Sequence, residues 1–367
     1  MGALILAGLV ILTGCTSSGG EETGDEGANN LFYQGLLFAM YDGEYGAIDQ
    51  EGEYRITPGF DNVRSFSHGL AAVQEDDSWG YIDSDGEYVI DLRFDSAESF
   101  YEGLAMVREG GEVGFINQEG EYEIEPGFLQ ARRFSEGLSG VQIREDAGPV
   151  WGYIDPQGNF EIEAAFKLVE PFSEGLAAVQ DNDGILEPGD NHWGYIDTDG
   201  EYVIEPQFES NRSFSQGLVA VEEEGRWGFM NTDGEYAVDP QFEEVTDFSE
   251  GLAAVKEGNL WGYIDDAGDF EMEPQFEGAM AFSNGLAGVL GGDKWGYMDR
   301  DGELVIEHRF DTILHNLIEG GFGRGTMGFF DDGYTIVYLE GTPAVIDREG
   351  EFVIEPDASF EGFLYQR

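Results

Sequence analysis

Trp79–Ile90 reads WGYIDSDGEYVI, and nearly the same words return at Trp151 (WGYIDPQGNFEI), Trp193 (WGYIDTDGEYVI) and Trp261 (WGYIDDAGDFEM). A phrase that recurs with fixed internal phase marks a structural unit that must stack on its neighbours. Aligning the chain on the tryptophan places anchors at Tyr45, Trp79, Val113, Trp151, Trp193, Trp227, Trp261 and Trp295, with a degraded ninth at Pro343. Five of the eight spacings are 34 residues and the others are 38, 42 and 48, so insertions interrupt a constant period. All six tryptophans of the protein occupy this column. Glycine follows the anchor in eight copies, and Ala344 takes its place in the ninth.

Each unit contains three strand-like segments, typified by GLAAV (Gly69–Val73), WGYID (Trp79–Asp83) and the EYVI-type run that follows. Aromatic and β-branched residues fill the last two, and Gly, Asp and Pro bound them. No apolar run shows helical spacing over the ten or more positions a helix would need. Four residues after the anchor stands Asp or Asn in every copy: Asp49, Asp83, Asn117, Asp155, Asp197, Asn231, Asp265, Asp299 and Asp347. Three residues later stands glycine, at Gly52, Gly86, Gly120, Gly158, Gly200, Gly234, Gly268, Gly302 and Gly350. An Asx side chain can accept a backbone hydrogen bond at the start of a type I turn, and the glycine then supplies a positive φ. Together they predict a hairpin loop with a bulge. The third segment usually ends in proline (Pro58, Pro126, Pro206, Pro240, Pro274, Pro356), which is expected to stop the ladder and begin a connection. Two phenylalanines punctuate that connection, such as Phe242 and Phe248, and are expected to plug the space between units.

The consensus WGYID..G.YVI.P.F......FSEGLAAV resembles the WG-repeat family, over roughly residues 32–367. The resemblance implies an all-β array of about nine three-stranded meanders and an interaction role, and it brings no catalytic residues. An open solenoid-like array is favoured over a closed propeller-like ring, because the leftover Ser359–Arg367 (SFEGFLYQR) resembles an end cap.

Composition narrows the partner classes. With 76 Asp plus Glu against 17 Lys plus Arg, the formal charge is -59, which argues against a nucleic-acid partner because no basic stripe exists to neutralise phosphates. Only Lys167, Lys256 and Lys294 are lysines. Self-repulsion of this size is tolerated when salt screens it, and at molar salt the Debye length is about 3 Å. An acidic, lysine-poor surface on a core with 14% aromatic residues therefore reads as adaptation to high salt.

The N-terminus carries a separate signal. Leu4–Leu12 is apolar but too short to span a bilayer, and it runs into LTGC, ending at Cys15, the only cysteine. That stretch resembles a lipobox, although no Lys or Arg precedes the apolar run. The resemblance implies a signal segment over 1–14, lipidation at Cys15 and a flexible acidic, Gly-rich tether over 15–31, with the repeat domain at 32–367. The expectation is a lipid-anchored protein on the outer face of the cell membrane.

Candidate sites compete with structural roles. Trp79, Trp151, Trp193, Trp227, Trp261 and Trp295 could form a sugar-stacking stripe, but Val113 in the same column suits a core position better. DSDG at Asp83, DTDG at Asp197 and DRDG at Asp299 pair two carboxylates beside a turn glycine, whereas calcium needs six to eight oxygens and other copies lack the second acid. Turn chemistry is the preferred role for Gly86, Gly158, Gly200, Gly234, Gly268 and Gly302 and their Asx partners. His68, His192, His308 and His315 follow no metal-ligand spacing, and no nucleophile motif occurs. The expectation is a monomeric binding or scaffolding module without cofactor, metal or enzyme activity. Its partner is an unidentified protein or polysaccharide. The alternatives are a cell-surface receptor for polysaccharide or peptide, and a propeller-type hydrolase. Length variation falls before the anchor, so Ile143–Val150, Asp181–His192 and Leu314–Gly341 are the expected recognition loops.

Overall fold

The computed structural model describes residues 32–146, 148–181, 192–210, 212–313 and 333–356, and among them every regular element is a β-strand. A typical repeat is a four-stranded antiparallel sheet: Asn62–Val63, Ala71–Glu75, Ser78–Ile82 and Tyr88–Phe94, hydrogen-bonded in that order. The expected three-stranded meander therefore gains a strand. The addition is a two-residue piece, with Asn62 opposite Gln74 and Val63 opposite Val73. It is too short to leave any periodic trace in the sequence. Three-stranded sheets remain in the first repeat (Leu37–Tyr41, Glu44–Ile48, Tyr54–Phe60) and the sixth (Leu218–Glu223, Arg226–Asn231, Tyr236–Phe242).

The strictness of the Trp-Gly pair comes from a bulge. Trp193 lies opposite Phe208 and Tyr195 opposite Ile204, so two residues on one strand span four on its neighbour. The surplus backbone bends toward the intervening glycine. A Cβ on Gly194 would sit 2.6 Å from the Ile204 carbonyl oxygen and 2.7 Å from the Pro206 nitrogen. The same contacts recur at Gly80, 2.6 Å from the Ile90 oxygen and 2.9 Å from the Leu92 nitrogen. No side chain fits there, whatever its φ. In the ninth copy the described ladder pairs Val345 with Ile354 and Ile346 with Phe352, and Ala344 stands in the glycine position.

The prolines are placed differently from expectation. Pro58 and Pro206 lie inside the strands Tyr54–Phe60 and Tyr202–Phe208, and do not end them. At the bulge the ladder is already interrupted, so a residue without an N–H costs nothing there.

Two turn types complete the repeat. In the Asx-Gly turn, Asp83 Oδ1 accepts the Asp85 and Glu87 amides, both at 3.0 Å, and Gly86 has φ 82°. The same glycine position packs on the isoleucine of the preceding repeat: a Cβ on Gly200 would lie 3.0 Å from Ile162 Cγ2. The second turn is the FSEGL phrase. Ser67 and Leu70 exchange two backbone hydrogen bonds, of 2.8 and 3.0 Å, across His68 (φ 54°) and Gly69 (φ 88°). Two consecutive left-handed residues make this a two-residue type I′ hairpin.

Among the described residues the chain forms two compact units, one from 32–93, 275–313 and 333–356 and one within 94–274. In the second unit, Trp193, Tyr195, Ile204 and Phe208 of one repeat pack against Phe214, Val219, Val221 and Met230 of the next. Tyr195 meets Phe214 edge to face at 5.2 Å, and Phe229 meets Phe248 likewise at 4.7 Å. The expected phenylalanine plug is thus an aromatic wedge between repeats. One strand, Phe160–Val169, pairs with Gly148–Ile154 at its start and with Leu176–Asp181 at its end, joining two repeats in a seven-stranded sheet. In the first unit the same stacking places Tyr45, Ala47, Ile56 and Phe60 against Phe66, Ala71, Val73 and Ile82. There the first repeat also covers the last: Phe32, Leu37, Ala39 and Ile48 share a core with Ile336, Tyr338, Val345 and Ile354. Ser359–Arg367, expected as an end cap, lies outside the described residues.

Gly194→Ala should destabilise the protein by about 2–3 kcal/mol, because backbone on both sides must shift. Gly59→Ala, where a Cβ would meet nothing within 4 Å, should change stability by no more than about 0.5 kcal/mol. Urea unfolding midpoints of the two variants check the contrast. Equal midpoints would remove the bulge as the reason for the Trp-Gly phrase.

Candidate interaction edge

Most of the candidate sites suggested by residue pattern resolve into architecture once their surroundings are known. Trp79, Trp151, Trp193, Trp261 and Trp295 are buried and Trp227 is half-buried, so the column belongs to the core between repeats and offers no open stacking stripe. Asp197 Oδ1 accepts two backbone amides, from Asp199 at 3.0 Å and Glu201 at 2.9 Å. Gly158, Gly200, Gly234, Gly268 and Gly302 have φ between 79° and 83° and are the turn residues of their hairpins. Among the described residues no group of three His, Cys, Asp or Glu is placed to hold a metal ion. The histidines are scattered. His68 forms a turn, and His308 takes the usual proline position, its ring against Gly291. Cys15 and His315 lie outside the described residues.

Stacking consumes both faces of the Trp-Gly strand, which leaves one side of the third strand and the edges. One edge carries the Asx-Gly turns. The other carries the tips of the first long hairpin, such as Glu75–Ser78, where strands Ala71–Glu75 and Ser78–Ile82 meet. These tips are closed by left-handed pairs, Asp76 and Asp77 in one copy, Gly110 and Gly111 in the next. An aspartate from the preceding connection caps them: Asp61 Oδ2 accepts the Asp76 amide at 3.0 Å, and Asp95 Oδ2 the Gly111 amide at 3.3 Å.

The recognition loops change character. Ile143–Val150 is no loop: Ile143 faces Val150, Arg144 faces Pro149 and Glu145 faces Gly148, so the insertion lengthens the hairpin. The end of Leu314–Gly341 is the strand Tyr334–Leu339, which replaces the GLAAV strand of the ninth sheet. Residues 182–191 and 314–332 lie outside the described residues, so only the lengthened hairpin can be placed, and it stands on the tip edge.

Sequence reading missed a contact that reaches from the Asx-Gly side of each sheet to the hairpin tip. The first residue of the third strand sends its hydroxyl to a glutamate at the hairpin tip: Tyr88 to Glu75 at 2.6 Å, Tyr122 to Glu109 at 2.9 Å and Tyr236 to Glu223 at 3.1 Å. Each pair is 13 residues apart, a spacing visible in the sequence but meaningless until the register is known. Tyr88 and Tyr236 are 40% and 38% exposed, and Val89 beside Tyr88 is 47% exposed. Partial burial, then the bonded Glu223 carboxylate, push the Tyr236 hydroxyl up to about 12, so it stays protonated and donating. The same two causes act in the same direction on Tyr88.

Several of the few cations lie over aromatic rings of the tryptophan column. Arg64 lies over the Trp79 ring at 4.7 Å, Arg132 over Trp151 at 5.1 Å and Arg212 over Trp227 at 4.6 Å. Arg212 also reaches the next repeat, donating to Asp247 at 3.0 Å and to the Val245 carbonyl at 3.2 Å.

The model of the WG containing repeat matches residues 45–78, 79–112, 114–145, 151–184, 193–227, 227–261, 261–295 and 295–324. No curated protein matches the chain in sequence. In fold it is similar to the crystal structure of a eukaryotic initiation factor, at 10% identity and a TM-score of 0.53 over 81% of this chain and 94% of that one. A looser likeness, at a TM-score of 0.44 and 12% identity, covers 87% of this chain and 72% of the dihydro-heme d1 dehydrogenase NirN. At these identities the first likeness speaks to the all-β fold alone and the second carries no argument. Eight consecutive repeat matches, spanning most of the sequence and in phase with the bulged sheets, settle the relationship: the chain belongs to the family of proteins built from the WG containing repeat.

Proposed function

We propose that the protein is an exported, lipid-anchored interaction or scaffolding module working in high salt. The observation that carries the reading is where the surface is left over. Stacking buries the Trp-Gly strands on both faces, while the third strands keep half-exposed tyrosine and valine side chains and the hairpin-tip edge carries the lengthened Ile143–Val150 hairpin. Repeat proteins bind through such edges because a rigid array presents many equivalent points at once. Binding is favoured over hydrolysis because the acids recur in every unit and single out no catalytic constellation. The N-terminal LTGC with Cys15 supports a membrane anchor, and 15–31 supplies a flexible tether. The net charge of -59 supports a salt-rich setting.

Three measurements test the parts separately. Trimming Asp181–His192 to five residues should leave the fold intact and weaken partner capture from native extract severalfold. Undiminished capture by a folded variant would remove that loop from the site. Cys15→Ala should move the protein from the membrane pellet to the soluble fraction or the medium, and continued pelleting would refute the anchor. Dialysis from molar to millimolar salt should lower Tm and broaden unfolding, since screening of the carboxylates is lost. An unchanged melting curve would contradict the high-salt assignment.

A further inference from the structure

The junction between the first and last repeats differs from the other stacking contacts in how its partners are chosen. Elsewhere the stacked repeats are neighbours in sequence, and a short connection fixes which sheet meets which. Phe60 ends the first sheet and Asn62 begins the second, with Asp61 between them. Phe32, Leu37, Ala39 and Ile48 instead pack on Ile336, Tyr338, Val345 and Ile354, from the far end of the chain.

Strand alternation separates the two sides of each terminal repeat. Leu37 and Ala39 face the last repeat, while Phe38 and Met40 face the second. Ile336 and Tyr338 face the first repeat, while Val337 faces the eighth. The junction is thus built from side chains that serve no other stacking contact. The hydroxyl staple used elsewhere is replaced here as well. Tyr153 and Tyr195 each donate to a carbonyl in the connection to the next repeat, at 2.7 and 2.9 Å. Val345 stands in that column, two residues after the anchor position. Phe32 holds the wedge position of Phe172 but meets Tyr334, at 5.4 Å, where Phe172 meets Tyr153. Apolar contact is non-directional, so a face supplied by another copy satisfies it equally.

We propose that this junction is an interaction surface for a second copy of the chain, the first repeat of one copy seating on the last repeat of another in place of its own. The contact needs no new surface, because the two faces already fit each other within one copy. Exchange of an identical element is a low-cost route to association. Local concentration decides between the two pairings, since no short connection does. Copies that each carry a charge of -59 meet where salt screens them, and at molar salt the range of repulsion falls to about 3 Å. The inference rests on the anchored-scaffold reading and names its partner. The tether of 15–31 runs directly into Phe32, so copies anchored side by side would hold this junction at raised local concentration.

The test is sedimentation velocity of the full chain in about 2 M KCl, before and after incubation just below Tm. The wild-type chain should gain an oligomer whose fraction rises with protein concentration. Leu37→Lys and Ile336→Asp each place a charge on one face of the junction, and each variant alone should show about tenfold less oligomer. Mixed in equal amounts and carrying different dyes, the two should regain an oligomer containing both. There the intact first repeat of the Ile336→Asp chain meets the intact last repeat of the Leu37→Lys chain. If either charged variant fails to fold, Leu37→Ala and Ile336→Ala give the same reading through a smaller loss. Three results would overturn the proposal: no oligomer from the wild-type chain, single variants that associate as well as wild type, or a mixture that regains nothing. Loss of partner capture on trimming Asp181–His192, with any of these three results, would leave the interaction-module reading standing and remove this one.

Discussion

The Trp-Gly strand at the centre of each sheet is apolar on both faces, and the rest of the architecture follows from that. Trp193 and Tyr195 point one way while Gly194 and Ile196 point the other, and both sets are buried. A half-buried antiparallel sheet would show polar residues on one face. Here each sheet must be sandwiched, so a single repeat cannot stand alone and the chain must repeat. Terminal repeats are the weak point of such an arrangement, since each has one face without a neighbour. Within one unit, the first and last repeats cover each other with Phe32, Leu37, Ile336 and Tyr338, and Phe32 meets Tyr334 edge to face at 5.4 Å.

The bulge reconciles this stacking with close backbone contact. It lets the third strand lean onto the Trp-Gly strand, which explains at one stroke the glycine, the proline opposite it and the retained phenylalanine four residues after the isoleucine. Bulges also bend strands and increase their twist. Phe160–Val169, which continues past its bulge into the ladder of the next repeat, shows the bend used to pass from one sheet to another. Polar groups trapped by the packing are satisfied across repeats: the Tyr153 hydroxyl donates to the Glu170 carbonyl at 2.7 Å, and that of Tyr195 to the Arg212 carbonyl at 2.9 Å.

What the sequence made legible was whatever depends on local conformation repeated in phase. The Asx-Gly turn could be read because Asp83 and Gly86 are three residues apart and act on their own backbone. The core role of the tryptophan column could be read because Val113 substitutes for it. What stayed hidden depends on register. Pro206 looked like a strand end because the rule against proline in a ladder holds only where the ladder is intact. Asn62–Val63 is too short for alternation to register. Ile143–Val150 looked like a loop because length variation falls before the anchor, yet its residues pair across the lengthened hairpin. The Tyr88–Glu75 pair needed the knowledge that the third strand lies beside the hairpin, which no periodicity conveys.

The acidic excess is not all solvation. In the unit of residues 94–274, the FSEGL turns are linked by their own side chains. Glu102 accepts the Gly137 amide at 2.9 Å, Glu136 accepts Gly175 at 2.8 Å and Glu174 accepts Gly217 at 2.7 Å. The next link is Gln216, whose side-chain oxygen accepts the Gly251 amide at 2.7 Å. A neutral amide replaces the carboxylate with the bond intact, so the position requires an acceptor and does not require a charge. The serine before it acts in the same direction: Ser173 and Ser215 donate to the Phe214 and Phe248 carbonyls, at 2.9 and 2.8 Å. Left-handed turn residues leave their amides pointing outward, and the neighbouring turn supplies the acceptor that a ladder would otherwise provide. A share of the glutamates is thus held by backbone geometry, and their place in the sequence follows from the turns and not from surface charge alone.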